Sequence, residues 1–253
     1  GSSGGFRPDL HSGIDRQTGL AGTLPTMSSS DAYRIRVWDL PTRLFHWTLA
    51  LSVLGSLGSG LLGGSAMVWH LRLGQLALAL LAFRLLWGLV GGHWSRFAAF
   101  PLRPQAFADF LRGQGDARLH TGHNPLGSLS VLVLLALLSM QILSGLVSND
   151  DIAFAGPLSH LVSNASVAAA TAFHKTWGKL LMLGWVLLHL AALIAHRWRG
   201  HRLVPAMVHG DKTLAQPAPS SRDDGRTRLL AALLLALCLA GSAWVFSLAP
   251  AGF

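Results

Sequence analysis

Four histidines lie inside hydrophobic stretches of this chain: His46, His70, His174 and His189. An ionisable side chain is costly within an apolar membrane segment, and the residues of this type that occur there usually have a function. Neutral imidazole is a common iron ligand, and the iron of a flat b haem takes one axial ligand from each side. The four histidines therefore predict two bound b haems, each held by two imidazoles.

The histidines belong to segments long enough to cross a bilayer. Of the 253 residues, 51% are hydrophobic and only 12% are charged, a balance too apolar for a soluble domain of this length. About 20 helical residues span the hydrocarbon core, and five stretches reach that length: 44–62, 69–90, 126–147, 172–195 and 229–248. The predicted fold is an all-α integral membrane protein, with a four-helix transmembrane bundle holding two b haems and a fifth, C-terminal transmembrane helix.

Two of the histidines, His174 and His189, lie on one predicted helix. Fifteen residues at 1.5 Å each place them about 22 Å apart along the helix, and about 100° per residue leaves their side chains roughly 60° apart. One helix can therefore serve two stacked haems. Matching depths pair His70 with His174 and His46 with His189, and ligands on facing helices are a usual way to hold a cofactor in a bundle.

The basic residues that give the net charge of +9 are unevenly distributed. Of the 20 Lys and Arg residues, only Arg72, Lys175 and Lys179 lie beside the first or third turn between spans. Because cytoplasmic segments are enriched in Lys and Arg, we expect the N-terminus to be cytoplasmic and the short C-terminal tail to lie outside. Topology and membrane lipid explain these charges, and no nucleic-acid binding is expected.

Composition divides the chain into four parts. Residues 1–36 begin with a segment rich in Gly, Ser and Pro and are expected to be disordered, with Met27 as a candidate natural start. Residues 37–210 form the predicted dihaem domain, 211–228 a cytoplasmic linker, and 229–253 the fifth helix and a short tail. The single cysteine, Cys238, and the lack of any glutamate exclude a Cys-ligated iron–sulfur cluster and a Glu-based zinc protease site in this sequence.

Two further residues are candidates for cofactor binding near the cytoplasmic side. Arg84 follows His70 by 14 residues. Its guanidinium either pairs with a propionate of the haem assigned to His46 and His189 or extends to the membrane interface. His123 precedes Asn124 and Pro125 at the start of the third span. It either bonds a haem propionate or a quinone, or belongs to a turn that begins the helix.

Several motifs, in their order and content, resemble one known family. They are Trp38-Asp39-Leu40-Pro41-Thr42-Arg43-Leu44-Phe45-His46-Trp47, His70-x-x-x-Gly74, Phe83-Arg84-Leu85-Leu86-Trp87-Gly88, Gly122-His123-Asn124-Pro125, and finally His174 and His189. Over about residues 37–210 the chain resembles the bacterial cytochrome b561 and nickel–iron hydrogenase cytochrome b family. The resemblance implies that His46, His70, His174 and His189 hold two b haems. It also implies electron exchange between a membrane quinone and a partner on the outer face.

The resemblance therefore implies a dihaem cytochrome b of the bacterial inner membrane, with its C-terminus in the periplasm. It is expected to transfer electrons between the quinone pool and a periplasmic redox protein. That partner is a hydrogenase, another dehydrogenase or a c-type cytochrome, and the sequence leaves the direction of electron flow open. A quinone site is expected near His123, Arg84 and the start of the first span, or else near His70 and Trp177. A competing hypothesis is a haem-free transporter or assembly subunit whose histidines handle protons or metal ions.

Overall fold

A computed structural model describes residues 1–2, 33–114 and 121–249 of the chain. The chain consists of two units, Gly1–Asp31 and Ala32–Phe253. Most of the first unit, and with it Met27 and most of the segment 1–36 that we expected to be disordered, lies outside the described residues. The second unit contains every helix and strand of the described residues.

Five helices are long and apolar enough to cross a membrane, as predicted. In chain order the α-helices are α1 (Leu40–Leu62), α2 (Met67–Val90), the short α3 (Pro104–Leu111), α4 (Pro125–Leu146), α5 (Asn164–Ala172), α6 (Lys179–Trp198), the short α7 (Leu203–His209) and α8 (Gly225–Ser247). A π-helical turn, Phe173–Gly178, joins α5 to α6. The fourth span is therefore one helix from Asn164 to Trp198 and begins earlier than the predicted start at residue 172.

Polar side chains cap four of the membrane helices at their N-termini. Each accepts a hydrogen bond from the backbone N–H three residues later: Asp39 before α1 at 2.8 Å, Asn124 before α4 at 2.7 Å, Ser163 before α5 at 3.3 Å and Asp224 before α8 at 2.8 Å. The first N–H groups of a helix lack partners within the helix, so a side-chain oxygen at this position stabilises the helix start. Proline at the first or second position of α1 and α4 favours the same starts.

Two short strands form an antiparallel pair, β1 (Tyr33–Arg36) and β2 (Asp211–Leu214). Arg34 forms an ion pair with Asp211 at 2.7 Å. This differs from the sequence-based expectation, which put residues 33–36 in a disordered segment and 211–214 in a linker. We call the end of the bundle that carries this sheet the strand end, and the opposite end, which carries the loop 147–163, the loop end.

Apolar side chains from four helices fill the middle of the bundle. Leu81 of α2, Leu135 and Leu138 of α4 and Met182 of α6 are buried together, and Leu49 of α1 packs against them. Within a bilayer, where lipid is as apolar as leucine, close van der Waals packing of such side chains stabilises the contact between helices. On α1, α2 and α6 these residues lie between the strand end and the loop end, so an apolar layer separates the two ends.

The fifth span, α8, packs along α2. Ala231 and Cys238 are buried in one cluster with Phe83 of α2. Ser242 Oγ also donates a hydrogen bond to the Gln75 carbonyl of α2 at 2.7 Å. Small residues allow the two helix backbones to approach closely, and a hydroxyl bonded to a carbonyl fixes their register. The fifth helix is therefore integrated into the bundle.

Candidate functional site

His70 of α2 and His174 of the π-helical turn face each other at the loop end. Their ring centres are 5.9 Å apart, and their ring planes are nearly perpendicular at 88°. A metal atom bonded to one nitrogen of each ring, at about 2 Å per bond, leaves the two ring centres about 6 Å apart once the ring radii are added. The pair therefore has the spacing of two axial ligands on one iron.

Each ring of this pair is held through its Nδ1 atom. His70 Nδ1 lies 2.8 Å from the carbonyl oxygen of Ser56, and His174 Nδ1 lies 2.8 Å from that of Gln141. Because a carbonyl oxygen only accepts hydrogen bonds, each Nδ1 carries the proton and each Nε2 keeps its lone pair for a metal. Bonds of this kind fix the tautomer and the ring orientation of metal-binding histidines.

Two glycines leave room for the same rings. A Cβ atom at Gly60 of α1 would lie 3.0 Å from His70 Nδ1, and one at Gly145 of α4 would lie 2.8 Å from His174 Cε1. Interiors are close-packed, so a side chain at either position would push its histidine away. The backbones of α1 and α4 therefore fit closely around the loop-end pair.

At the strand end, His46, His189, Arg84 and His123 come near one another. Burial, together with the nearby Arg84, His46 and His189, lowers the pKa of His123 to about 3. His123 is therefore neutral at physiological pH. His189 also lies within electrostatic range of His46, so the fold gathers the four residues that the sequence placed near one side of the membrane.

Aromatic rings surround His123 in the turn before α4. Its ring centre lies 4.6 Å from that of Trp38 and 5.1 Å from that of Phe100. The next residue, Asn124, caps α4, so the helix-start turn expected from the sequence is present. The neutral imidazole nevertheless faces an apolar environment next to a cation, which sets it apart from a simple turn residue.

Arg84 is a buried cation on α2, only 4% exposed, and so does not extend to the interface. Its guanidinium carbon lies 4.7 Å from the centre of the Phe97 ring, a stabilising cation–π arrangement. Among the described residues, Arg84 Nη1, His46 Nδ1 and His123 Nδ1 are buried without a hydrogen-bond partner. Since buried polar atoms are normally bonded, these groups fit a polar or anionic ligand such as a haem propionate.

Asp39 joins the backbone segments around this cluster. Its carboxylate is 0% exposed and accepts hydrogen bonds from Gly92 N at 3.0 Å and Ser95 Oγ at 2.9 Å, besides capping α1. It also lies within electrostatic range of Arg84. These hydrogen bonds link the start of α1 to the segment after α2 through Asp39.

Some residues of these sites were not found from the sequence. Ser56 contributes only its backbone carbonyl, which no pattern of side chains reveals. Phe97 lies in a short turn, where hydrophobic periodicity does not predict the path of the chain. Gln141 had a usable signal, because an amide inside a long apolar helix is costly and therefore usually functional. The sequence placed Arg84 near one end of its span, but it did not indicate that the side chain is buried.

Both histidine pairs suit haem better than a metal held by side chains alone. Within the described ranges, no group of three or more His, Cys, Asp or Glu side chains could hold a metal ion. A haem iron needs only two protein ligands, because the porphyrin supplies its other four nitrogens. Two imidazoles are therefore a sufficient protein contribution for one haem.

Comparison with known proteins identifies the family. A sequence model described as prokaryotic cytochrome b561 matches residues 37–210, a range that includes α1 to α7 and all six candidate cofactor-binding residues. Searches of curated proteins and of solved structures gave no match. Because the matched range is more than half of the 253 residues, the chain belongs to the prokaryotic cytochrome b561 family and is a multi-pass membrane b-type cytochrome that binds haem and takes part in electron transfer.

Proposed function

We propose that this chain is a dihaem cytochrome b that transfers electrons between membrane quinone and a periplasmic redox protein. The observation that carries the proposal is the loop-end pair, whose rings stand 5.9 Å apart with both Nδ1 atoms bonded to carbonyl oxygens. Imidazoles oriented in this way are prepared to bind one iron from opposite sides. The second pair, His46 and His189, supplies the same ligand type at the strand end.

His70 and His174 are assigned to one b haem, and His46 and His189 to the other. Bound haem supplies a one-electron ferric–ferrous couple. The chain itself supplies the axial nitrogens, the hydrogen bonds that orient them and the apolar layer that keeps water from the space between the two pairs. The 15 residues from His174 to His189 correspond to roughly 22 Å of helix, so electrons gain a path across much of the membrane.

Arg84 and His123 are assigned to the polar groups that approach the strand end. The buried guanidinium offers N–H donors to a propionate, and such charge-assisted bonds are among the stronger ones in proteins. Neutral His123 can donate through one ring nitrogen and accept through the other, which suits the oxygen of a quinone as it gains or loses a proton. The quinone site therefore lies near His123, Arg84 and the start of α1.

The two ends are assigned to opposite sides of the inner membrane. The strand end carries most of the Lys and Arg residues of the described turns, and such turns are usually cytoplasmic. The loop end then faces the periplasm, where the His70–His174 haem exchanges electrons with a hydrogenase, another dehydrogenase or a c-type cytochrome. Labelling of single introduced cysteines in intact cells, one in the loop 147–163 and one after α6, reports this orientation.

The decisive measurement is haem content. The purified protein is expected to give a reduced-minus-oxidised spectrum of b type, and pyridine haemochrome analysis is expected to give two b haems per chain. One haem per chain would overturn the dihaem assignment. A folded protein without Soret absorbance would overturn the whole proposal and favour a haem-free transporter or assembly subunit.

A further inference from the structure

We propose that Gln141 is a positioning residue that holds His174 in place for haem binding. This inference rests on the proposed function, since it assumes that His174 is an axial ligand. Gln141 lies within α4, a membrane helix of 22 residues, where a side-chain amide needs a polar partner because no water is available. The partner that the structure provides is the backbone of His174.

Two hydrogen bonds join these residues in opposite directions. Gln141 Nε2 donates to the His174 carbonyl oxygen at 3.1 Å, and His174 Nδ1 donates to the Gln141 carbonyl oxygen at 2.8 Å. The side chain of each residue is thus bonded to the backbone of the other. A reciprocal pair of this kind fixes the depth of the His174 backbone relative to α4 as well as the orientation of the imidazole.

The π-helical turn explains why the His174 backbone is a suitable partner. Residues Phe173–Gly178 depart from α-helical hydrogen bonding, and a π-turn shifts the backbone bonds by one residue and often occurs at functional sites. Gln141 therefore bonds the helix where its internal bonding is irregular. Without that side chain, no hydrogen bond from α4 would hold the His174 backbone, and return of the turn to regular α-helix would rotate His174 about the helix axis.

Small neighbours bring the two helices close enough for this contact. Gly178 is buried, and a Cβ atom there would collide with Gln141 Oε1. Ser144 adds to the same arrangement, because its Oγ donates to the Gln141 carbonyl at 3.0 Å and lies 3.3 Å from His174 Nδ1. The carbonyl that orients the His174 ring is thus also bonded by a hydroxyl one turn later on α4.

The test compares Gln141→Leu and Gln141→Met with Met140→Leu in the full-length protein. Both leucine and methionine remove the amide donor without adding a charge, and methionine keeps nearly the length of glutamine. Met140 is the preceding residue of α4 and is half exposed, so its conservative substitution controls for changes in that helix. His174→Ala and His189→Ala identify the signals of the loop-end and strand-end haems beforehand.

Both Gln141 variants are expected to bind the loop-end haem about ten- to hundredfold more weakly, as is typical when an outer partner of a metal ligand is lost. The strand-end haem is expected to remain. In the fraction that keeps both haems, the loop-end midpoint potential should rise, because a weaker Nδ1–H bond makes the imidazole a poorer donor to ferric iron. The low-spin ferric EPR signal of that haem should also change as the ring rotates.

Three outcomes separate the hypotheses. A wild-type protein with two haems, together with Gln141 variants that match Met140→Leu in haem content, potential and EPR signal, would overturn the positioning role and leave the proposed function standing. Loss of both haems in the two Gln141 variants would also overturn it, since the role is confined to one end. A folded wild-type protein without haem would instead overturn the proposed function.

Discussion

The two ends of the bundle present their histidines in different ways. At the loop end, His70 and His174 are each bonded to a backbone carbonyl, and glycines fit closely around both rings. At the strand end, among the residues that the structure describes, His46 Nδ1 is buried without a partner beside the buried cation Arg84 and the neutral His123. Both imidazoles of the loop end thus have a bonded Nδ1 atom, although, within the described part of the chain, Ser56 Oγ and Gln141 Oε1 are buried there without a partner. The strand end instead leaves an imidazole nitrogen and a guanidinium nitrogen for a ligand to satisfy.

The two proposed haem sites should therefore depend on different physical terms. The loop-end site is preorganised, so its affinity for haem depends on the shape of the backbone around the two rings. The strand-end site concentrates charge, so its affinity and potential depend on the electrostatic match between Arg84 and an anionic group. Substitutions that change shape should therefore act mainly at the loop end, and substitutions that change charge mainly at the strand end.

The largest effect is expected from removing one ligand at each end. His189→Ala should eliminate the strand-end haem and keep at least part of the loop-end haem, whereas His174→Ala should do the reverse. Haemochrome analysis should then give about one haem per chain for each variant, and redox titration should show which potential is lost. If both substitutions abolished the same spectral component, the pairing of His70 with His174 and of His46 with His189 would be wrong.

The next largest effect is expected from filling the space beside a loop-end ring. In Gly145→Ala the new Cβ would lie 2.8 Å from His174 Cε1, so the imidazole must move and haem binding at this end should weaken about tenfold or more. Haem retention during dilution in detergent measures this loss.

Gly58→Ala is the matched control for that substitution. A Cβ at Gly58 would meet no atom within 4 Å, and alanine favours a helix over glycine by about 1 kcal/mol. This variant should keep both haems and melt at an equal or higher temperature. Equal haem retention in Gly145→Ala and Gly58→Ala would contradict the view that backbone shape controls the loop-end site.

Much of the membrane architecture could be predicted from the sequence, because a bilayer requires long apolar helices and leaves few alternatives. The five spans and the family were predicted and confirmed. Ligand depth could be estimated as well, since helical rise converts the 15 residues between His174 and His189 into a distance. The assignment of these histidines as haem ligands remains a prediction.

Other features depend on contacts that leave no local pattern. The pairing of β1 with β2 brings the side chain of Arg34 to that of Asp211, 177 positions away along the chain. The π-helical turn adds an irregularity that hydropathy does not register, and it changes the 60° angle expected between His174 and His189 for a regular helix. The sequence shows Gln141 as a polar residue within an apolar span. Its hydrogen-bond partner, the His174 carbonyl, depends on the π-helical turn and could not be predicted.

A smaller effect, confined to the strand end, is expected from removing the buried cation. A nearby positive charge disfavours ferric haem, so Arg84→Gln should lower the midpoint potential of the strand-end haem. The expected shift is of the order of 60 mV, which corresponds to a roughly tenfold change in a one-electron equilibrium. Redox titration followed at the b-type absorbance band measures it.

Arg72→Gln provides the control for this charge change. Arg72 lies on the same helix and its guanidinium carbon stands 5.3 Å from the Trp69 ring at the loop end, but its side chain is exposed and its charge is therefore screened by solvent. Neither potential should change appreciably in this variant. Equal shifts in Arg84→Gln and Arg72→Gln would show that the strand end is not distinguished by a buried charge.

The smallest effect is expected from the titration of His123, whose burial lowers its pKa to about 3. An unfolded histidine titrates near 6.5. Since the folded pKa is the lower one, the stability that neutral His123 contributes is present above about pH 6.5 and is lost as the pH falls toward the folded value. Between pH 7 and pH 5 the loss amounts to about 2 kcal/mol.

His123→Phe isolates this contribution, because phenylalanine keeps an aromatic ring beside Trp38 and Phe100 and cannot take up a proton. The wild-type protein in detergent should melt a few degrees lower at pH 5 than at pH 7, and the variant should show a smaller decrease. Because His123 lies at the strand end, the absorbance of the strand-end haem should be lost first as the acidified wild-type protein is heated. Earlier loss of the loop-end haem would mean that acid acts on the preorganised pair, and the contrast between a shape-dependent and a charge-dependent site would then not hold.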